Sequence, residues 1–144
     1  MVYITESAEE TEALGAALGR CVADGSVIAM YGGLGAGKTA FIRGLACGMG
    51  ITARVTSPTF TIVNEYEGAR SLFHFDMYRL ASEDELFDIG WDDYLERSGV
   101  CAVEWSENVD GAFDGDEIRV TIEKISDMAR RITIEGVDFA YTGS

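Results

Sequence analysis

One octapeptide, Gly32-Gly33-Leu34-Gly35-Ala36-Gly37-Lys38-Thr39, collects the groups that phosphate chemistry requires and matches the pattern G-x-x-x-x-G-K-[ST] in full. Gly32, Gly35 and Gly37 can adopt backbone conformations closed to residues with a Cβ, so successive N–H groups can turn inward around phosphate oxygens. Lys38 supplies a positive charge for the β and γ phosphates, and the Thr39 hydroxyl is placed to ligate a Mg²⁺ that bridges the same oxygens. The segment therefore reads as a site for a nucleoside triphosphate. Such a loop needs a second acidic site, a carboxylate delivered by a neighbouring strand to hold the metal directly or through water. Two acids compete: Glu104, after Val100-Cys101-Ala102-Val103, and Asp76, after Leu72-Phe73-His74-Phe75. The reading puts Glu104 on the metal, directly or through water, and Asp76 in the metal shell or on the attacking water. The plainer alternative for each is an ordinary acid at a strand end.

The elements that must position these residues are visible in the apolar periodicity. Val27-Ile28-Ala29-Met30-Tyr31 reads as a buried strand and Thr39 to Ala46 as a helix stopped by Gly48-Met49-Gly50, so the glycine-rich segment sits at a strand-to-helix turn. Val2 to Thr5 reads as a short strand. Ser7-Ala8-Glu9-Glu10 is a capping box opening a first helix that ends near Asp24-Gly25. Residues 59–66 and 71–78 read as two strands joined by a hairpin-length turn, Glu67 to Arg70. Ser82-Glu83-Asp84-Glu85 is a second capping box, and Trp91 to Arg97 a further short helix. Val100 to Val103 has the continuous apolar character of a central parallel strand. Glu117 to Ile125 and Arg130 to Val137 alternate with period two around Ser126-Asp127-Met128-Ala129, which predicts a C-terminal antiparallel hairpin. The fold expected is α/β: a P-loop NTPase-type three-layer domain with a mixed central sheet and that hairpin, residues 1–144 forming one domain.

Composition narrows the function classes. The chain has 144 residues, 47% of them apolar, enough for one core. Acidic residues number 25 against 11 basic ones, a net charge of −14 spread along the chain. Such a surface repels phosphodiester backbones, so tRNA or DNA binding by the lone chain is not expected. The N-terminus lacks the basic and apolar regions of a secretory signal, and no apolar run approaches a bilayer span; the reading is cytoplasmic, with no membrane contact. Three cysteines, Cys21, Cys47 and Cys101, lie far apart in apolar patterns and are expected to be buried, reduced thiols.

Four segments in order resemble the TsaE (YjeE) family: Gly32 to Thr39, Ser57-Pro58-Thr59-Phe60-Thr61-Ile62-Val63-Asn64-Glu65-Tyr66, His74-Phe75-Asp76-Met77-Tyr78-Arg79-Leu80 and Val103-Glu104-Trp105. The resemblance spans residues 32 to 107. It implies a small P-loop ATPase domain using ATP and Mg²⁺, accessory to the transferase TsaD and its companion TsaB in making the threonylcarbamoyl-adenosine beside the anticodon of certain tRNAs. It implies catalytic roles for Lys38, Asp76 and Glu104 and metal contacts from Thr39 and Glu104. The nucleotide would be held by Gly33, Leu34, Gly35, Ala36, Gly37, Lys38, Thr39 and Ala40, with Arg79 and Trp105. Three positions depart from the family pattern: Gly33 stands where Asp is usual, Ala40 where a second Thr is common, and Ser106 where Pro usually follows Trp105.

By the same resemblance Ser57-Pro58-Thr59 is a switch-like loop. Pro58, the one proline of the chain, fixes its own φ and biases Ser57 away from helix, so either Ser57 or Thr59 could offer a hydroxyl to the metal, its water or the γ-phosphate. His74, the one histidine, alternates onto the face of Asp76 and Tyr78 and reads foremost as a satisfied core group. Arg79 could clamp a phosphate or pair with an acid, and apart from it no basic residue is clearly placed at the γ-phosphate. Trp105 is either core packing or an aromatic near the nucleotide. A GTPase is excluded by the absence of N-K-x-D and D-x-x-G strings. A small-molecule kinase, which would need an arginine-bearing lid, and a nucleotide-dependent regulator without significant turnover are the rival readings.

Overall fold

Strands that are covered on both faces must be apolar at nearly every position, and the two strands nearest the octapeptide obey that rule. The computed structural model describes residues 1–33, 36–52, 55, 63–68, 70–78, 80, 82–139 and 141. Leu34, Gly35, Arg79, the Ser57-Pro58-Thr59 segment and residues 59–62 of the expected strand lie outside them. In chain order the elements are β1 (Val2–Thr5), α1 (Ala8–Cys21), β2 (Val27–Tyr31), α2 (Lys38–Gly48), β3 (Val63–Tyr66), β4 (Leu72–Asp76), α3 (Glu83–Asp88), α4 (Trp91–Glu96), β5 (Val100–Glu104), a 3-10 segment (Ser106–Ala112), β6 (Ile118–Lys124) and β7 (Arg130–Glu135). The strands form one sheet in the order β1-β7-β6-β2-β5-β4-β3. The four central strands run parallel, and β1, β7 and β3 join antiparallel at the edges. The mixed sheet and the C-terminal hairpin are those expected; β6 also pairs parallel with β2.

Alternation along the strands sends side chains into two apolar layers. Ile28, Met30, Leu72, Val100 and Ala102 pack with Leu14 and Leu18 of α1 and Phe41, Ile42 and Leu45 of α2. Phe73, Phe75, Cys101 and Val103 pack on the other face with Leu86, Trp91 and Val109. The helices on the first face meet backbone to backbone: a Cβ on Gly44 would lie 1.9 Å from the Glu12 carbonyl oxygen, and one on Gly15 2.2 Å from that of Phe41. This close approach fixes how α2 lies against α1, and α2 begins with Lys38.

Local details differ from the sequence reading in four places. The Ser7 hydroxyl does accept the Glu10 N–H at 3.1 Å, but Glu10 returns its carboxylate to the Glu6 N–H, not to Ser7. Ser82 precedes α3 without a side-chain cap bond. Helix α1 ends at Cys21, three residues before the Asp24-Gly25 turn, because Val22 already has extended backbone. Cys101 is buried, which pushes its thiol up to about 12, whereas Cys21 and Cys47 are exposed because each occupies the outward side of the last turn of its helix.

Candidate nucleotide site

The chain leaves the carboxyl end of β2 at Tyr31 and re-enters regular structure at Lys38. Among the described residues two glycines carry the turn with left-handed backbone: Gly32 at φ 143°, where a Cβ would lie 2.5 Å from the Ile122 carbonyl oxygen, and Gly37 at φ 100°, the N-cap of α2. A side chain at either position would clash or strain the loop. The α2 N-terminus so formed turns the positive end of the helix dipole toward the loop.

Lys38 points back across the turn. Its Nζ donates to the Gly32 carbonyl oxygen at 2.7 Å and sits 3.9 Å from the centre of the Trp105 ring, leaving the residue 6% exposed. Burial holds its ammonium below the usual lysine range, while Glu104, Glu107 and Asp76 oppose that shift. Trp105 is positioned by an uncommon backbone: it is the one non-glycine residue with positive φ among those described, at φ 58° and ψ 42°. That conformation turns the chain sharply after β5 and brings the indole against Lys38, with the Tyr78 ring tilted beside it at 4.9 Å. Trp105 thus packs against the second apolar layer and also lies beside the loop lysine.

Both candidate carboxylates lie at the carboxyl ends of adjacent parallel strands, and Asp76 is in register with Glu104. Even-numbered residues of β4 and β5 face α2, so the two acids lie on the side of Lys38 and near enough for their charges to act on its ammonium. Asp76 is half-buried, and its Oδ1 accepts the Tyr78 N–H at 3.0 Å. Desolvation pushes its carboxyl above the usual range, against the pull of that hydrogen bond, and the neighbouring charge of Glu104 adds to the rise. Glu104 is 5% exposed and meets His74 Nε2 at 2.5 Å through Oε2. His74 is fully buried with a hydrogen-bond partner, as expected of a satisfied core group, and that partner is this carboxylate. Thr39 follows Lys38 in the first turn of α2.

A cation missed by sequence reasoning stands beside the loop. Arg130, the first residue of β7, donates Nε to the Ala36 carbonyl at 3.0 Å and Nη1 to carbonyls of Ser126 and Ala129 at 2.8 and 3.0 Å. It clips the β6–β7 turn onto the phosphate loop, 94 residues away in sequence. The signal available was an arginine pair, Arg130-Arg131, directly after a turn in an acidic chain, and nothing local assigns that turn to the octapeptide. Beside Arg130 lies a cavity of about 150 Å³ lined by Ser7, Ala8 and Thr11 of the α1 start, Gly37 and Ala40 of the α2 start, and Met128 of the turn.

The family model described as "Threonylcarbamoyl adenosine biosynthesis protein TsaE" matches residues 5–132. The chain belongs to the TsaE family. Similar proteins include the "tRNA threonylcarbamoyladenosine biosynthesis protein TsaE" of Treponema pallidum, 40% identical over 93% of this chain and 99% of that protein. The protein of the same name from Bacillus subtilis is 41% identical over 95% of this chain and 86% of its own length. The crystal structure of YdiB from Bacillus subtilis superposes with a TM-score of 0.80 at 35% identity, covering 93% of this chain and 83% of that one. TsaE membership and the P-loop fold therefore agree with the motif order in the sequence.

The structure also explains how this TsaE chain accommodates its three departures. A Cβ at Gly33 would meet open space, so the position does not require glycine. Ala40 lines the cavity beside Arg130. The Ser106 hydroxyl, fully buried, accepts the Met30 N–H at 3.1 Å and donates to the Val103 carbonyl at 2.8 Å, tying β2 to the end of β5 just beneath Trp105.

Proposed function

We propose that residues 1–144 work as one Mg²⁺-dependent ATPase domain whose nucleotide cycle serves threonylcarbamoylation of tRNA adenosine, together with TsaD-like and TsaB-like proteins. The observation that carries this reading is the convergence of Lys38 with Asp76 and Glu104, two carboxylates in register at the ends of neighbouring parallel strands. An ordinary strand-end acid has no reason to act by its charge on a buried lysine at a glycine-bearing helix start.

In this reading the N–H groups from Gly33 to Lys38 cradle the phosphates, with Leu34, Gly35, Thr39 and Ala40 completing the loop. Lys38 provides the fixed charge on the β and γ oxygens, and Arg130 holds the loop in shape through Ala36. The adenine enters the cavity lined by Ala8, Ala40 and Met128, and Trp105 senses the phosphates through Lys38. Arg79 contributes a further phosphate contact. The donors present suit a hard cation: a hydroxyl and carboxylates, with few enough protein ligands for Mg²⁺ to keep phosphate and water in its shell. Thr39 and Glu104 would hold it, and when bound it neutralises charge developing on the phosphoryl oxygens. Asp76, with its raised affinity for protons, is suited to accept one from the attacking water.

The net charge of −14 leaves tRNA to the basic surfaces of partners, and the Ser57-Pro58-Thr59 loop is the segment through which the nucleotide state would reach them. The reading is tested by adding purified protein and ATP to an extract that lacks tRNA threonylcarbamoylation. Restoration by the wild type and not by Lys38→Ala supports it; equal restoration by both, or by neither, contradicts it.

A further inference from the structure

A second cavity, of about 500 Å³, opens at the amino end of β2, the end opposite the phosphate loop. One wall is apolar. Trp91, 1% exposed, is held edge-on by Phe75 at 5.3 Å and by Phe113 at 6.2 Å, and Val27, Phe113 and Leu95 continue the surface. Leu95 is 39% exposed there, a large aliphatic side chain left in water. The rim is acidic, formed by Asp24, Asp114 and Asp116 with the buried Glu117 behind them, and among the described residues no lysine or arginine lines the cavity.

These four carboxylates are not equivalent. Asp24 is paired with Arg70 at 2.9 Å, and Glu117 is paired with Arg119 at 2.7 Å and takes the Gly115 N–H. Asp114 accepts only the Asp116 N–H at 3.2 Å, and among the described residues neither Asp114 nor Asp116 has an ion pair. A cavity with an apolar wall and two uncompensated carboxylates at its mouth selects its occupant by chemistry. Phosphate-bearing polymers and acidic peptides meet repulsion. A polyamine brings charge but nothing for the wall, and a neutral apolar ligand leaves the rim unanswered.

We propose that this cavity docks a protein segment in which lysine or arginine flanks an aliphatic or aromatic side chain. The apolar residue packs on Phe113 and Leu95, and the cationic groups meet Asp114 and Asp116 at the rim, the usual division between the core and edge of an interface. The acidity of the whole chain steers such a segment toward the site. The 3-10 segment that starts next to Trp105 ends at this wall with Ala112, so the docked segment touches an element shared with the phosphate site.

The test is selection from a displayed library of random peptides about twelve residues long on the full chain, followed by binding of the enriched peptide by fluorescence anisotropy. The proposal expects a consensus joining basic to aliphatic or aromatic residues. Its affinity should fall about tenfold or more in the Asp114→Lys/Asp116→Lys variant and in Leu95→Glu, weaken with added salt, and stay unchanged in Lys38→Ala. Both altered sites are exposed, and should Leu95→Glu fail to fold, the double charge reversal decides alone. No such consensus, or equal binding to wild type and the charge-reversed variant, overturns the proposal.

Discussion

His74 and Glu104 form a sealed pair: Nε2 meets Oε2 at 2.5 Å, with the imidazole fully buried and the glutamate 5% exposed. The bond crosses diagonally between β4 and β5, since His74 is in register with Ala102 and Asp76 with Glu104. It ties down one oxygen of Glu104 and so limits where the other can point. His74→Leu should cost about 1–3 kcal/mol in urea unfolding, because it leaves a buried carboxylate oxygen without its donor. It should also raise the Mg²⁺ concentration needed for turnover, with partial rescue in His74→Gln. Unchanged stability and an unchanged Mg²⁺ requirement would reduce the pair to incidental packing.

Asp76 makes a prediction whose sign depends on pH. Its carboxyl is raised above the unfolded value, chiefly by burial, so folding favours the protonated form. The stability this contributes is complete below the unfolded pKa, about 3.9, and is lost as pH rises through the raised folded value. Without nucleotide or metal, Asp76→Asn should therefore melt higher than wild type at pH 7, the gap closing as pH falls below about 4. The same variant should lose turnover. A variant less stable than wild type at pH 7 would contradict the burial argument.

Trp105 and Trp91 should separate in fluorescence. Lys38 lies over the indole of Trp105, whereas Trp91 is packed between Phe75 and Phe113. Adding Mg²⁺ and ATP should change the emission of wild type and Trp91→Phe and leave Trp105→Phe silent. The reverse pattern would move the nucleotide away from Lys38.

Arg130 holds the Ala36 carbonyl and the adjoining turn together. Arg130→Ala should weaken ATP binding in calorimetry about tenfold, equivalent to about 1.4 kcal/mol, with Arg130→Lys intermediate because a lysine cannot bond several carbonyls at fixed angles. An unaltered affinity in Arg130→Ala would confine the residue to holding its own hairpin.

The parts of this site that were legible in the sequence are local ones. The turn between β2 and α2 is encoded by adjacent glycines, and Asp76 and Glu104 announce themselves by ending apolar strands. Arg130 was not legible, because its approach to Ala36 depends on β6 pairing with β2, and periodicity fixes a strand's faces without fixing its neighbours. The His74–Glu104 bond was hidden for a similar reason: alternation gave the face of each residue, while their contact needed the β4–β5 register. Trp105 required a positive φ that a bulky residue seldom adopts, so no propensity argument could place its ring. The exposed thiols of Cys21 and Cys47 sit where helical periodicity runs out at the ends of α1 and α2.

The central claim, that Lys38 and Glu104 form a working ATPase site, is tested most directly by multiple-turnover release of phosphate from Mg²⁺ATP, measured alone and with a TsaD–TsaB-type complex. The account predicts slow turnover by the lone chain, acceleration by orders of magnitude on adding the complex, no turnover in Lys38→Ala, and retained nucleotide binding without turnover in Glu104→Gln. Near-normal phosphate release by Lys38→Ala would contradict it.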